Sequence, residues 1–264
     1  MNKRLERRVA VVTGAGQGVG RGIARRLALE GATVVVAEIN RQSGEQVAGE
    51  CSELGGRGVF IHTDVLSKES VEQCIAHSIE SLGTLDILVN NAYAAGPPQR
   101  LQAKPEADFR LAMDACFFAA LWSMQAAFGT MRTQRRGRII NLCTLNGVNA
   151  HLHSADYNTA KEALRALTRS AAREWAEHGI TVNAICPAAV TPAYERFRSA
   201  APELAKRMLE QNPMGYMGDA EQDIGGVAAF LACDDARYLT GNTLFVDGGS
   251  HINGVQWAPP LPPE

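Results

Sequence analysis

Charge of either sign is in short surplus: 26 Lys and Arg stand against 28 Asp and Glu in 264 residues, a formal net charge of −2. No basic block exists beyond the short start Lys3-Arg-Leu-Glu-Arg-Arg8, which reads as a solvated tail. This argues against nucleic acid or an anionic membrane surface as the main partner. Long apolar runs are also missing. Val9 to Val12 breaks at once into Thr13-Gly14, so no secretory segment develops, and no run of about 18 apolar residues is found. A cytoplasmic location is expected. The six cysteines, at 51, 74, 116, 143, 186 and 233, contain no Cys-x-x-Cys pair, which leaves neither a zinc site nor a disulfide framework. Reduced, mostly buried thiols are expected instead.

What is present is a core-forming composition. At 46% hydrophobic residues, the chain can build one large α/β domain. Val9-Ala-Val-Val-Thr13 is a short apolar run, followed by Gly14-Ala-Gly-Gln-Gly-Val-Gly20 and then the helical pattern Ile23, Leu27, Leu29. Strand, glycine turn and helix together suit a pyrophosphate, because backbone N–H groups at a helix N-terminus face the anion and glycine lets it approach. The strict Gly-x-Gly-x-x-Gly spacing does not fit. Gly14-x-x-x-Gly18-x-Gly20 does.

Thr33-Val-Val-Val-Ala37 reads as a buried parallel strand. It ends in Glu38, eighteen residues after Gly20, where an acid can accept hydrogen bonds from ribose hydroxyls and repel a 2′-phosphate. NAD is favoured on that ground. Arg41 nearby leaves NADP open. A helix from Arg41 to Leu54, a strand Gly58–His62, a helix from Ser70 to Leu82 and a strand Leu85–Val89 continue the alternation, which predicts a doubly wound parallel sheet of the Rossmann type with helices on both faces. Asp64 either caps the next helix or bonds an adenine amino group. Thr13, Glu38, Asp64, Asn90 and Thr144 all fall at carboxyl ends of strands, where ligands of such sheets bind.

The run Arg138-Ile-Ile-Asn-Leu-Cys-Thr144 delivers Thr144 to such an end, and a linker leads to Tyr157-Asn-Thr-Ala-Lys161. Four residues apart on a helix, Tyr157 and Lys161 share one face. A phenol that exchanges a proton near neutral pH needs its pKa of about 10 lowered, and a nearby ammonium does that.

Taken in order, these motifs identify a resemblance to the short-chain dehydrogenases/reductases of compact single-domain type, from Val9 to Gly249. The matching set is Thr13-Gly-x-x-x-Gly-x-Gly20, Asp64-Val65, Asn90-Asn-Ala92, Arg138-Ile-Ile-Asn141, Tyr157-x-x-x-Lys161, Val182-Asn-Ala-Ile-Cys-Pro187, Tyr238-Leu-Thr-Gly-Asn242 and Val246-Asp-Gly-Gly249. The resemblance implies hydride transfer between a nicotinamide and a carbon bearing a hydroxyl or carbonyl, with no metal. Tyr157 is then the acid or base, Lys161 lowers its pKa and holds the nicotinamide ribose, and Thr144 orients the reacting oxygen. It places the cofactor on Gly14, Gln17, Gly18, Val19, Gly20, Glu38, Asp64, Val65, Asn91, Ala92, Tyr157, Lys161, Pro187, Val190 and Thr191. Related reductases of enoyl thioesters space the tyrosine and lysine more widely, which disfavours that reaction.

Four positions depart from the family pattern. Thr144 stands for serine, Tyr93 for a glycine at the mouth of the site, Ala188 for a glycine, and Cys116 for an asparagine that helps hold a water in a proton path. Cysteine substitutes poorly for it. Cys116 and Tyr93 keep a second reading open, a nicotinamide-dinucleotide-binding sensor or scaffold without turnover. Residues 1–250 are expected to form the single domain, with a substrate lid at about 188–217 that is irregular but apolar, and 251–264 an extended Pro-rich arm. Tyr93, Leu145, Asn146, Phe197 and Met214 are the candidate substrate contacts. They suit a bulky, mainly apolar secondary alcohol or ketone, with Arg196 and Arg198 the main objection. The late run Gly225-Gly-Val-Ala-Ala-Phe-Leu231, rich in small residues, and the resemblance point to a homotetramer or homodimer.

Overall fold

In the computed structural model, residues 3–252 are described, and seven parallel strands lie in the order β3-β2-β1-β4-β5-β6-β7. The strands are β1 Val9–Thr13, β2 Thr33–Glu38, β3 Arg57–His62, β4 Ile87–Asn90, β5 Gly137–Leu142, β6 Ile180–Pro187 and β7 Thr243–Val246. The order reverses direction between β1 and β4. That places the switch point of a doubly wound sheet beside the glycine turn.

Alternate side chains of the central strands feed two separate cores, which is why those strands are apolar throughout rather than alternating. Ala10, Val12, Val34, Val36, Ile87, Val89 and Ile140 pack toward α1 (Gly18–Leu29), α2 (Arg41–Glu53) and α10 (Gly225–Ala232). Val9, Val11, Val35, Leu88, Ile139 and Val182 pack toward α3 (Lys68–Leu82), α5 (Ala119–Thr133) and α7 (Ala155–Trp175). All six cysteines are buried and free. Burial pushes the Cys51, Cys143 and Cys186 thiols up to about 12.

Several expectations change. The linker before Tyr157 contains a one-turn helix, α6 (Leu145–Val148), capped by Thr144. The lid is not irregular: α8 (Pro192–Ala200) and α9 (Pro202–Glu210) fill most of it. Each begins with a proline at its first position, where the missing N–H costs nothing, and the Thr191 hydroxyl accepts from Tyr194 N at 3.1 Å. The lid leaves and rejoins the sheet at one point, because Val190 N donates to Gly218 O and Gly218 N to Ala188 O. The proposed C-terminal arm lies outside the described residues except for its first two.

Of the small residues of α10, Gly225, Ala228, Ala229 and Ala232 are buried within the chain. A Cβ on Gly225 would come within 3.0 Å of Gly22 O in α1, whereas Gly226 has no neighbour closer than 4.0 Å. Residues Glu106–Thr133 form one continuous helix that is long and apolar enough to match a membrane span, although no uninterrupted apolar run marks it in the sequence. It comprises α4 (Glu106–Ala112), a π-turn (Met113–Phe118) and α5. Its buried residues Met124 and Met131 pack into the core below the sheet, and Ala112 and Cys116 pack around Ala160 and Tyr157.

Candidate active site

The glycine turn is shaped from beneath by Asn91. Its Nδ2 donates to Thr13 O at 2.9 Å and to Gly14 O at 3.0 Å, while Thr13 Oγ1 accepts from the amides of Asn91 and Ala92. Gly20 follows from this. Its absent Cβ would meet Asn91 Nδ2 at 2.4 Å and Gly14 O at 2.3 Å, and Gly14 itself has φ of 61°, a conformation that favours glycine.

Glu38 closes the far end. Its carboxylate accepts from Gly16 N at 2.9 Å, Ile39 N at 3.0 Å and Asn40 N at 3.1 Å. Arg41 is turned away, bonded to Glu45 at 2.8 Å and lying over the Phe60 ring. Asp64 bonds the next turn, accepting from Leu66 N at 2.9 Å.

At the other end, α7 carries Tyr157 and Lys161. Lys161 is buried, its Nζ donates to Leu142 O at 2.6 Å, and it lies 5.8 Å from the Tyr157 ring centroid. Burial alone would lower the Lys161 pKa. The surrounding Cys116, Tyr157, Cys143 and Tyr93 groups more than offset it and raise the Lys161 pKa above its ordinary value. For Tyr157 the expected lowering is corrected: burial pushes the phenol up, and the opposing effects of the Lys161 charge and the Thr144 hydroxyl do not overcome it.

Thr144 is nearly buried, and its Oγ1 accepts from Asn146 N at 3.2 Å. Tyr93 packs on Tyr157 with ring centroids 5.6 Å apart. Cys116 sits in the π-turn within an apolar cluster of Ala112, Ala160, Ala95, Met113 and Tyr157. No side chain of that cluster other than the Tyr157 phenol offers a strong hydrogen-bonding group.

These ends belong to one cleft of about 400 Å³. It is lined by Gly14, Gln17, Gly18, Val19, Gly20, Glu38, Asp64, Val65, Asn91, Ala92, Tyr93, Tyr157, Lys161, Pro187 and Thr191. Val190 lines the neighbouring cleft behind the glycine turn. Thr144, Leu145, Asn146, Phe197 and Met214 do not line the main cleft, and Met214 is 60% exposed. Sequence reasoning missed Leu66, Ala94, Leu142 and Cys143, which line it as well. Leu142 and Cys143 were legible in principle, since they directly precede Thr144 at the end of β5. Arg196 reaches the cleft edge without an ion-pair partner among the described residues, whereas Arg198 is paired with Glu195 at 2.6 Å.

A family model described as enoyl-(acyl carrier protein) reductase matches residues 14–251. The chain is 34% identical over 251 residues to a 12alpha-hydroxysteroid dehydrogenase of Clostridium sp., covering 92% of this chain and 96% of that protein. Among solved structures, a 7 alpha-hydroxysteroid dehydrogenase complexed with NADH and 7-oxo glycochenodeoxycholic acid superposes with a TM-score of 0.87 at 34% identity, covering 94% of this chain and 96% of that one. An NAD+-bound xylitol dehydrogenase gives 0.88 at 32% identity, with 93% and 100% covered.

Proposed function

The chain belongs to the short-chain dehydrogenase/reductase family, and on that premise we propose that it is an NAD-dependent oxidoreductase interconverting a bulky, mainly apolar secondary alcohol and its ketone. The observation that carries this is the single cleft joining a carboxylate and glycine turn at one end to a phenol and buried ammonium at the other. A dinucleotide fits the donor set: bare glycine backbone for a pyrophosphate, Glu38 for ribose hydroxyls, Lys161 for the second ribose. When bound, its nicotinamide gives or takes the hydride. Tyr157 then donates a proton to the ketone oxygen or accepts one from the alcohol, and Lys161 holds positive charge beside the phenol as it ionises. Thr144 directly follows Cys143, which lines the cleft, and supplies a second hydroxyl for the reacting oxygen. The four-residue spacing from Tyr157 to Lys161 supports alcohol chemistry over enoyl reduction.

NAD is supported by the absence, among the described residues, of a free cation at Glu38, since Arg41 is engaged with Glu45 and Phe60. Arg196 is separated by one helical turn from Pro192, which together with Thr191 faces Gly18. Its charge therefore suits the pyrophosphate better than a substrate acid. A pyrophosphate partner for Arg196 supports an apolar substrate. Tyr93, large and mainly apolar, lines the cleft beside Tyr157, and the NADH-bound hydroxysteroid dehydrogenase supports both the cofactor and a ring alcohol. The xylitol dehydrogenase favours a polyol, but this cleft offers few fixed side-chain donors to hold one.

The test is a screen of cyclic and aromatic secondary alcohols, sugar alcohols and hydroxy acids with NAD and NADP, read by formation of reduced nicotinamide. Ring alcohols with NAD are expected to lead by more than about tenfold in kcat/KM, about 1.4 kcal/mol in the transition state. Preference for a sugar or hydroxy acid by that margin overturns the substrate reading, and no turnover with any of them favours the sensor reading.

A further inference from the structure

We propose that Lys104 is a positioning residue for this reaction: through a buried ammonium shared by two carboxylates, it fixes the wall of a second cleft beside Tyr157 that receives the part of the substrate remote from the reacting carbon. The inference rests on the ring-alcohol reading above. Residues 91–100 after β4 contain neither helix nor strand. No backbone ladder sets their path, yet they carry Tyr93 against Tyr157.

Side chains hold this segment. The Lys104 side chain has no exposed surface, and its Nζ donates to Pro97 O at 2.7 Å. It lies 3.0 Å from Asp156 Oδ2 and 3.4 Å from Asp108 Oδ2. Asp156 Oδ2 also accepts from Gly96 N at 2.9 Å. Asp156 immediately precedes Tyr157 in the first turn of α7, so one ammonium ties the loop, α4 and the turn that presents the phenol. Gly96 is required by the same packing, because a Cβ there would fall on the Asp108 carboxylate.

The cluster is poorly built for stability alone. Burying a lysine and two carboxylates carries a desolvation penalty that apolar residues of similar volume avoid. Moreover, Asp156 Oδ1 and Asp108 Oδ2 have no hydrogen-bond partner. What the cluster provides is a single geometry for a loop that otherwise has none. The wall it sets belongs to a cleft of about 220 Å³ lined by Tyr93, Gly96, Pro98, His153, Asp156 and Tyr157. The loop is joined to His153 of this lining by Gln99 N donating to His153 O at 2.9 Å.

The experiment uses the full chain with NAD and two probes, cyclohexanol and the two-ring alcohol decahydro-2-naphthol. Lys104→Met is expected to raise KM for the two-ring alcohol by about tenfold while kcat, KM for cyclohexanol and the Kd of NAD stay within about twofold. Lys104→Arg should restore most of the loss. In the cofactor-free protein, hydrogen exchange at the Gly96 amide should accelerate in Lys104→Met. If Lys104→Met does not fold, Asp108→Asn, at the more exposed end of the cluster, makes the same test. Unchanged KM discrimination between the probes, or unchanged exchange at Gly96, overturns the proposal. If the native protein turns over neither alcohol, the proposed function fails separately, and Gly96 exchange still decides whether Lys104 fixes the loop.

Discussion

The two ends of the seven-stranded sheet use charge in opposite ways. At the amino ends, Arg8, Asp86, Arg136, Arg138 and Asp234 close on one another. Arg8 lies 3.7 Å from Asp86 and 3.3 Å from Asp234, Arg138 lies 3.2 Å from Asp234, and Arg136 bonds Asp86. At the carboxyl ends, Glu38, Asp64 and Lys161 have no ion-pair partner among the described residues and are held by backbone groups. Paired charges cancel at a distance and fix the ends of strands. Charges held by backbone dipoles keep their field and can act on a ligand. The comparison separates residues whose loss should unfold the protein from residues whose loss should only silence it.

The largest effect is expected at the carboxyl end. Tyr157→Phe removes the transferable proton and should lower kcat by about 10² to 10⁴, with NAD binding and melting temperature unchanged. Unchanged turnover would sink the assignment of Tyr157. The raised phenol pKa adds a sign. Alcohol oxidation needs the phenolate and should still be climbing with pH above neutrality, whereas ketone reduction needs the phenol and should be fully active there. A plateau of oxidation below pH 7 would contradict the direction.

At the amino end, Asp86→Ala should break the comparison from the other side. Asp86 is buried and its Oδ2 accepts from Val9 N at 2.8 Å. Its removal leaves the buried Val9 amide without its acceptor and Arg136 without its carboxylate, a change that costs about 1–3 kcal/mol. Chemical denaturation should show that loss, while kcat per folded molecule remains native. A fall in kcat without a fall in stability would erase the distinction between the two ends.

Glu38→Ala should have a smaller effect, because it alters only the adenosine end of the cleft. Relief of repulsion toward a 2′-phosphate and loss of a ribose acceptor together should shift the NAD to NADP affinity ratio by about tenfold, or 1.4 kcal/mol. Native protein that binds NADP more tightly than NAD would reverse the cofactor proposal.

The sequence made the carboxyl end more legible than the lid and the loop after β4. The glycine turn, Glu38 and the Tyr157–Lys161 pair are read from short spacings and from strands whose two buried faces make continuous apolar runs. The strand order, by contrast, follows from contacts between distant segments, as does the Lys104–Asp156 pair, which is 52 residues apart. The lid was read as irregular because two short helices that each begin at a proline, Pro192 and Pro202, have too few turns to show a period. Leu145, Asn146, Phe197 and Met214 are apolar or polar in the right places along the chain but do not line the main cleft, since direction, not composition, decides what a side chain faces.

Cys116→Asn should have the smallest effect of the carboxyl-end variants, and it tests whether that end depends on its backbone-held charges alone. In the family pattern an asparagine here helps hold a water on a proton path. In this protein the thiol packs among Ala112, Ala160 and Tyr157, and the adjoining cavity, bordered by Thr13, Asn90 and Cys116, measures only about 10 Å³. That is the lower limit for one water, which also needs two to four polar partners. An amide introduced into this cluster borders the same small cavity as Asn90 and Thr13 but displaces an apolar contact, so stability should fall by about 1 kcal/mol. Turnover should stay level or rise by up to about threefold, because Lys161 and Tyr157 keep their positions. A loss of tenfold or more in kcat with the protein still folded would mean that the thiol itself supports the phenol. The chemistry of this end would then include a side-chain partner that the native pairing pattern does not show.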